Sequence, residues 1–150
     1  MLQYDFESSL GHWICNTARL FEQAMNDELE PHGITFRQCQ VLAWLAFEGD
    51  LSQSELAERM RIEPPTLVGI LDRMEREDWI CRESDPVDRR RKNIRPQSKA
   101  APVWSQIVVC ADLVRARAKA GLTDEQLQTL KDLLTIVHDN LALHSSARTS

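Results

Sequence analysis

Residues 51–95 read LSQSELAERMRIEPPTLVGILDRMEREDWICRESDPVDRRRKNIR, two short helices followed by two short strands. Ser52, with Glu55 three residues later, is a capping box: the hydroxyl accepts the Glu55 amide and the carboxylate reaches back to the Ser52 amide. Leu56 and Met60 then share one face of a short helix. Arg61-Ile62-Glu63 makes a tight turn. Pro64 and Pro65 cannot sit inside a helix but suit its first turn, where amide donors have no partner anyway. A second helix is therefore expected from here to about Asp78, burying Leu67, Leu71 and Met74 at i, i+4 and i+7. Helix, tight turn and helix form a unit whose second helix can enter a DNA major groove.

Trp79 to Glu83 alternates like a strand, and Asp85-Pro86-Val87-Asp88 has turn chemistry. Arg89-Arg90-Arg91-Lys92 follows as a run of four cations, and Lys92 to Arg95 reads as the return strand. A hairpin tipped with arginines beside a helix pair is a wing. The planar guanidinium binds phosphate and suits the negative potential of a narrow minor groove.

Ser52–Met60, Pro65–Met74 and Asp88-Arg89-Arg90 resemble the winged-helix core of the MarR family of transcriptional regulators. The D-x-x-D-R-R element, here Asp85 to Arg90, is that family's most specific mark. IEPPTLVGILDRMEREDWI and SKAAPVW look most like its SlyA branch, and the resemblance covers nearly the whole chain. It implies a mainly α fold with a small β-hairpin wing. In that layout residues 35–96 form a winged helix-turn-helix, and residues 8–33 and 99–145 form dimerisation helices of one domain. It also implies a bacterial homodimer on a near-palindromic DNA operator, released by a small anionic aromatic effector or by oxidants.

Outward from the core, a long helix is expected from Ser8 or Ser9 to about Glu30, with Leu10, Ile14, Ala18, Phe21, Met25 and Leu29 on one stripe. Pro31-His32-Gly33 stops it. Thr35 and Gln38 cap a second helix, with Cys39, Leu42, Ala43 and Ala46 on its apolar side, widened by Trp44, Leu45 and Phe47. After the wing, a helix over about Lys99 to Ala120 places Val103, Ile107, Cys110, Val114 and Arg117 in register. Thr123 and Gln126 open the last helix, whose Leu127, Leu130, Leu134, Val137 and Leu141 form a narrow seam. Residues 1–8 read as a loose arm and 145–150 as a frayed end. Two copies of the chain can bury the end-helix stripes against each other and present two reading helices about one DNA turn apart.

The candidate DNA contacts follow from this layout. Thr66 leads the exposed face of the reading helix, Pro65 can touch a thymine methyl, and Val68 and Gly69 come next. In the SlyA branch the position of Gly69 commonly holds a base-reading arginine, so bidentate guanine recognition from here is absent. Arg73 reads either as a backbone contact or as a partner of neighbouring charges or of the wing. Arg90, by match to the second arginine of D-R-R, is assigned to the minor groove. Asp88 is expected to hold the turn by accepting hydrogen bonds from an arginine. Arg89, Arg91 and Lys92 are left to phosphates or solvent. Gln53 and Ser54 offer further phosphate contacts, with Ser52 as a cap. For the effector, the resemblance implies a cleft drawing on His12, Trp13, Cys15, Trp44 and Trp104.

The 150 residues carry a net charge of −5, yet residues 89–99 hold six cations and no acid. A local basic patch on an acidic body fits binding at one surface rather than nucleic-acid packaging. No apolar run approaches a membrane span, and the N-terminus has no signal pattern, so a cytoplasmic protein without membrane contact is expected. Cys15, Cys39, Cys81 and Cys110 have no metal-ligand spacing and are expected as reduced thiols. No phosphate loop, metal motif or nucleophile signature marks an enzyme, and no cofactor is expected. Two alternatives remain open: an oxidant sensor using Cys15, with His12 and Arg19 as its nearby cations, and a winged-helix module that binds protein.

Overall fold

The structure is a computed structural model and describes residues 5–146. The expected arm and frayed end lie in part outside the described residues, at 1–4 and 147–150. The chain forms two compact units, residues 1–114 and 115–150. In order the elements are α1 (Leu10–Leu29), a 3-10 turn (Glu30–His32), α2 (Phe36–Glu48), β1 (Leu51–Ser52), α3 (Gln53–Met60), α4 (Pro64–Arg76), β2 (Ile80–Ser84), β3 (Lys92–Pro96), α5 (Ala100–Ala118) and α6 (Asp124–Ser146).

In the first unit the caps fall where the sequence puts them. The Ser9 side chain accepts the His12 amide at the start of α1. Thr35–Gln38 and Ser52–Glu55 both close as full capping boxes. Gly33, at φ 70°, takes the left-handed conformation that turns the chain after α1. Arg61 does the same after α3, at φ 50°. α4 stops at Arg76 rather than Asp78, because Asp78 itself is left-handed at φ 58° and the Trp79 amide folds back to the Met74 carbonyl at 2.9 Å.

The core gathers Leu29 from α1, Val41, Leu42 and Leu45 from α2, Leu56 and Met60 from α3, and Leu67, Leu71 and Met74 from α4. Ile80, Ile94, Ile107, Cys110 and Val114 complete it from β2, β3 and α5. Two expected stripes differ from this. On α1 only Met25 and Leu29 are buried, and Leu10 and Phe21 stay exposed. On α2 the buried face runs through Gln38, Cys39, Val41, Leu42 and Leu45, while Ala46 is exposed and Phe47 points out at 81% exposure. The run VLAWLAF is apolar all round and carries no period from which the face can be read. On α5, Ile107, Cys110 and Val114 are buried as spaced.

The wing is a sheet of three antiparallel strands, in the order β1-β3-β2. β2 and β3 pair from Ile80↔Pro96 to Ser84↔Lys92. The unforeseen strand β1 pairs Leu51 with Ile94 and Ser52 with Asn93. It is two residues long and doubles as the cap of α3, so the hairpin is fastened to the helix pair.

In the second unit Thr123 and Gln126 cap α6 reciprocally, at 2.9 and 3.1 Å. Leu127 and Val137 are half-buried, while Leu130, Leu134 and Leu141 are exposed along the expected seam. Arg117, placed on the α5 stripe by spacing, is exposed. Among the described residues no helix is long and apolar enough to cross a membrane.

Candidate nucleic-acid interface

α4 has two faces of opposite character. Leu67, Leu71 and Met74 are fully buried, and Pro65, Thr66, Val68, Gly69 and Arg73 are exposed on the other side. A Cβ added at Gly69 would meet nothing within 4 Å. Gly69→Ala is therefore expected to raise stability by about 0.5–1 kcal/mol through helix propensity alone. A thermal melt checks this, and an unchanged or lower midpoint would mean that the glycine serves the backbone there.

Arg73 makes no ion pair among the described residues. The bridge from α4 to the wing comes instead from Arg82 on β2. Its guanidinium lies 2.5 Å from Asp72 and 3.5 Å from Glu75, and it donates to the Val68 carbonyl at 3.4 Å. The Arg82 amide also donates to Glu75 at 3.1 Å. Arg82 thus couples the wing to α4, with Asp72 as its chief partner.

Asp85 organises the hairpin turn. One carboxylate oxygen accepts the amides of Val87 at 2.8 Å and Asp88 at 3.1 Å, and the other accepts the Asn93 side-chain amide at 3.1 Å. The Asp88 and Val87 amides, then Asn93, hold its carboxyl below the usual carboxylate range. Asp88 accepts from the backbone amide of Arg90 at 3.0 Å, so the arginine bond expected of it comes from main chain.

The basic run divides into held and free cations. Arg91 pairs with Glu55 at 2.9 Å, on the same oxygen that caps Ser52. The Ser52 amide and hydroxyl, with Arg91 adding less, keep the Glu55 carboxyl below its ordinary range. Lys92 donates to the Ser84 hydroxyl at 2.7 Å. Arg95 pairs with Asp50 at 2.6 Å and Glu83 at 3.0 Å, and Lys99 with Asp78 at 2.7 Å. Arg89 and Arg90, both exposed, have no side-chain partner among the described residues. Their charge is available to an incoming polyanion, whereas that of Arg91 and Arg95 is already matched. At the start of α3, Ser54 is exposed and Gln53 half-buried.

The five effector candidates do not gather in one place. His12 stacks edgewise on Phe6 and Trp13 at 5.8 and 5.7 Å, and Trp13 donates to the Glu7 carbonyl at 2.9 Å. Cys15 is exposed on the same helix. Trp44 meets Phe47 at 6.2 Å on α2. Trp104 alone lines an apolar cavity of about 420 Å³, with Leu42, Leu45, Pro96 and Ala101. Burial pushes the Cys39 thiol up to about 11 and raises those of Cys110 and Cys81, which disfavours the reactive thiolate at all three. Among the described residues no cluster of metal-binding side chains occurs.

Several solved structures share this architecture. A MarR-family transcriptional regulator from Rhodococcus sp. RHA1 is 22% identical, with a TM-score of 0.81 over 90% of this chain and 96% of its own. A mutant of MarR from E. coli complexed with operator DNA is 24% identical, with a TM-score of 0.76 over 85% of this chain and 92% of its own. BpsR from Bordetella bronchiseptica, whose DNA binding is regulated by 6-hydroxynicotinic acid, is 20% identical, with a TM-score of 0.79 over 92% of this chain and 99% of its own. Residues 32–91 match the model of the MarR family, and the chain has the winged-helix fold of the MarR-type regulators it resembles.

Proposed function

We propose that the protein is a DNA-binding transcription regulator of the MarR family, and not an enzyme. It acts in the bacterial cytoplasm as a homodimer on a near-palindromic operator. The observation that carries this reading is the pairing pattern of the wing: Arg89 and Arg90 have no side-chain partner among the described residues, at the tip of a hairpin that Arg82, Arg91 and β1 fasten to the helix pair. α4 would lie in the major groove with Pro65, Thr66, Val68, Gly69 and Arg73 toward the DNA, and Arg90 would enter the minor groove. Gln53, Ser54, Arg89 and Lys92 would meet phosphates, with Asp88 shaping the turn. A winged-helix module for a protein partner has no need of two unmatched arginines at this tip.

The exposed Leu10, Trp13 and Phe21 on α1, and Leu130, Leu134 and Leu141 on α6, support self-association, since a second copy would cover them. The run IEPPTLVGILDRMEREDWI supports the SlyA branch. A small anionic aromatic effector remains part of the reading, and the apolar cavity beside Trp104 is its best-formed site. CouR from Rhodococcus jostii RHA1, of the same fold, has been solved bound to p-coumaroyl-CoA. An oxidant response through Cys15 has its exposure in its favour.

Enrichment of duplexes from a random-sequence pool by the purified protein tests the reading. The expected product is a near-palindrome with half-sites about one helical turn apart. A pool that stays random after several rounds would reject a sequence-selective regulator.

A further inference from the structure

A groove of about 370 Å³ runs between the first turns of α2 and the exposed face of α4. It is lined by Thr35, Arg37 and Gln38 on one side and by Thr66, Gly69, Ile70 and Arg73 on the other. Two of these residues are cations and none is an acid. Arg37 is half-buried, and its guanidinium donates to the Gln40 side-chain oxygen at 3.0 Å. That neutral amide orients the side chain without matching its charge. Arg73, across the groove, has no ion pair among the described residues either. Gly69 adds no side chain to the lining, and a Cβ there would meet nothing within 4 Å. Two guanidinium groups that line one opening, neither in an ion pair among the described residues, attract a phosphate, which each can grip through paired N–H donors.

We propose that Arg37 of α2 is a DNA-backbone contact that, together with Arg73, holds a phosphate on the strand flanking the major groove occupied by α4. The reading surface then has three parts: the α2 start, α4 and the wing. The inference rests on the DNA-binding reading above. It also gives an anchoring role to a helix that otherwise backs the core, beside a reading helix that has a glycine at its centre.

The test is fluorescence anisotropy with a labelled duplex over a range of salt, for wild type, Arg37→Ala and Arg37→Lys. Thermal melts establish that each variant is folded. Arg37→Ala is expected to bind roughly tenfold more weakly. The slope of log K against log salt should fall by about one, and the loss should be similar for enriched and random duplexes, as a phosphate contact requires. Arg37→Lys should recover the slope. Wild-type binding with an unchanged slope and affinity in Arg37→Ala would overturn the contact alone, whereas wild type that binds no duplex would overturn the DNA reading beneath it. Benzoate binding that Arg37→Ala abolishes, with DNA affinity intact, would make the groove a small-anion site and overturn the proposal too.

Discussion

Leu71→Ala is expected to lower the stability of the first unit by about 2–5 kcal/mol, the range for truncating a fully buried leucine that leaves a cavity. Leu71 is completely buried, between Leu67 and Met74 on the inner face of α4. Removing its side chain also loosens the helix that carries the proposed reading face, so DNA binding should fall at elevated temperature before it falls at 25 °C. Val68→Ala, three residues earlier on the outer face, should cost no more than about 0.5 kcal/mol. Urea titration of both variants checks the pair. Equal midpoints would mean that the two faces of α4 are wrongly assigned.

The second large effect belongs to the wing tip. Arg89→Ala combined with Arg90→Ala is expected to weaken DNA binding roughly a hundredfold and to flatten the salt dependence by about one to two units. Stability should change little, because neither side chain has a partner to lose among the described residues. Arg91→Ala should act differently. Its charge is matched by Glu55, so the salt slope should stay near that of wild type while affinity drops only as far as the hairpin loosens. Anisotropy at several salt concentrations separates the variants. A double variant with the wild-type slope would remove the wing tip from the interface.

Local chemistry was legible in the sequence. Three capping boxes, at Thr35, Ser52 and Thr123, are set by residues three apart, and each forms in the structure. The buried stripe of α4 was equally plain, because Leu67, Leu71 and Met74 recur at i, i+4 and i+7, with Thr66 and Gly69 before and Asp72, Arg73 and Glu75 after marking the opposite face. The α2 face was not, since its apolar residues surround the helix and only the packing of its neighbours selects Val41 and Leu45 over Ala46 and Phe47. The strand β1 was hidden by its length of two residues and by Ser52 serving as a cap.

The site was legible in its parts but not in its charge balance. The run from Arg89 to Lys99 reads as one basic patch in sequence. In space, Glu55, Asp50 and Asp78 neutralise Arg91, Arg95 and Lys99, and those partners come from other elements. The same distance in sequence concealed Arg82, which looks like one more residue of an alternating strand until Asp72 and Glu75 close on it. Arg37 carries no motif at all. Only the groove it shares with Arg73 draws attention to it.

In the proposed function the chain reads DNA sequence rather than charge alone. The most direct measurement is competition: a labelled duplex enriched by the protein, challenged with a large excess of random duplex at two salt concentrations. The expected result is affinity for the enriched duplex at least about a thousandfold above that for random DNA, with both falling steeply as salt rises. Random duplex that displaces the labelled one at equal concentration, at both salts, would contradict it.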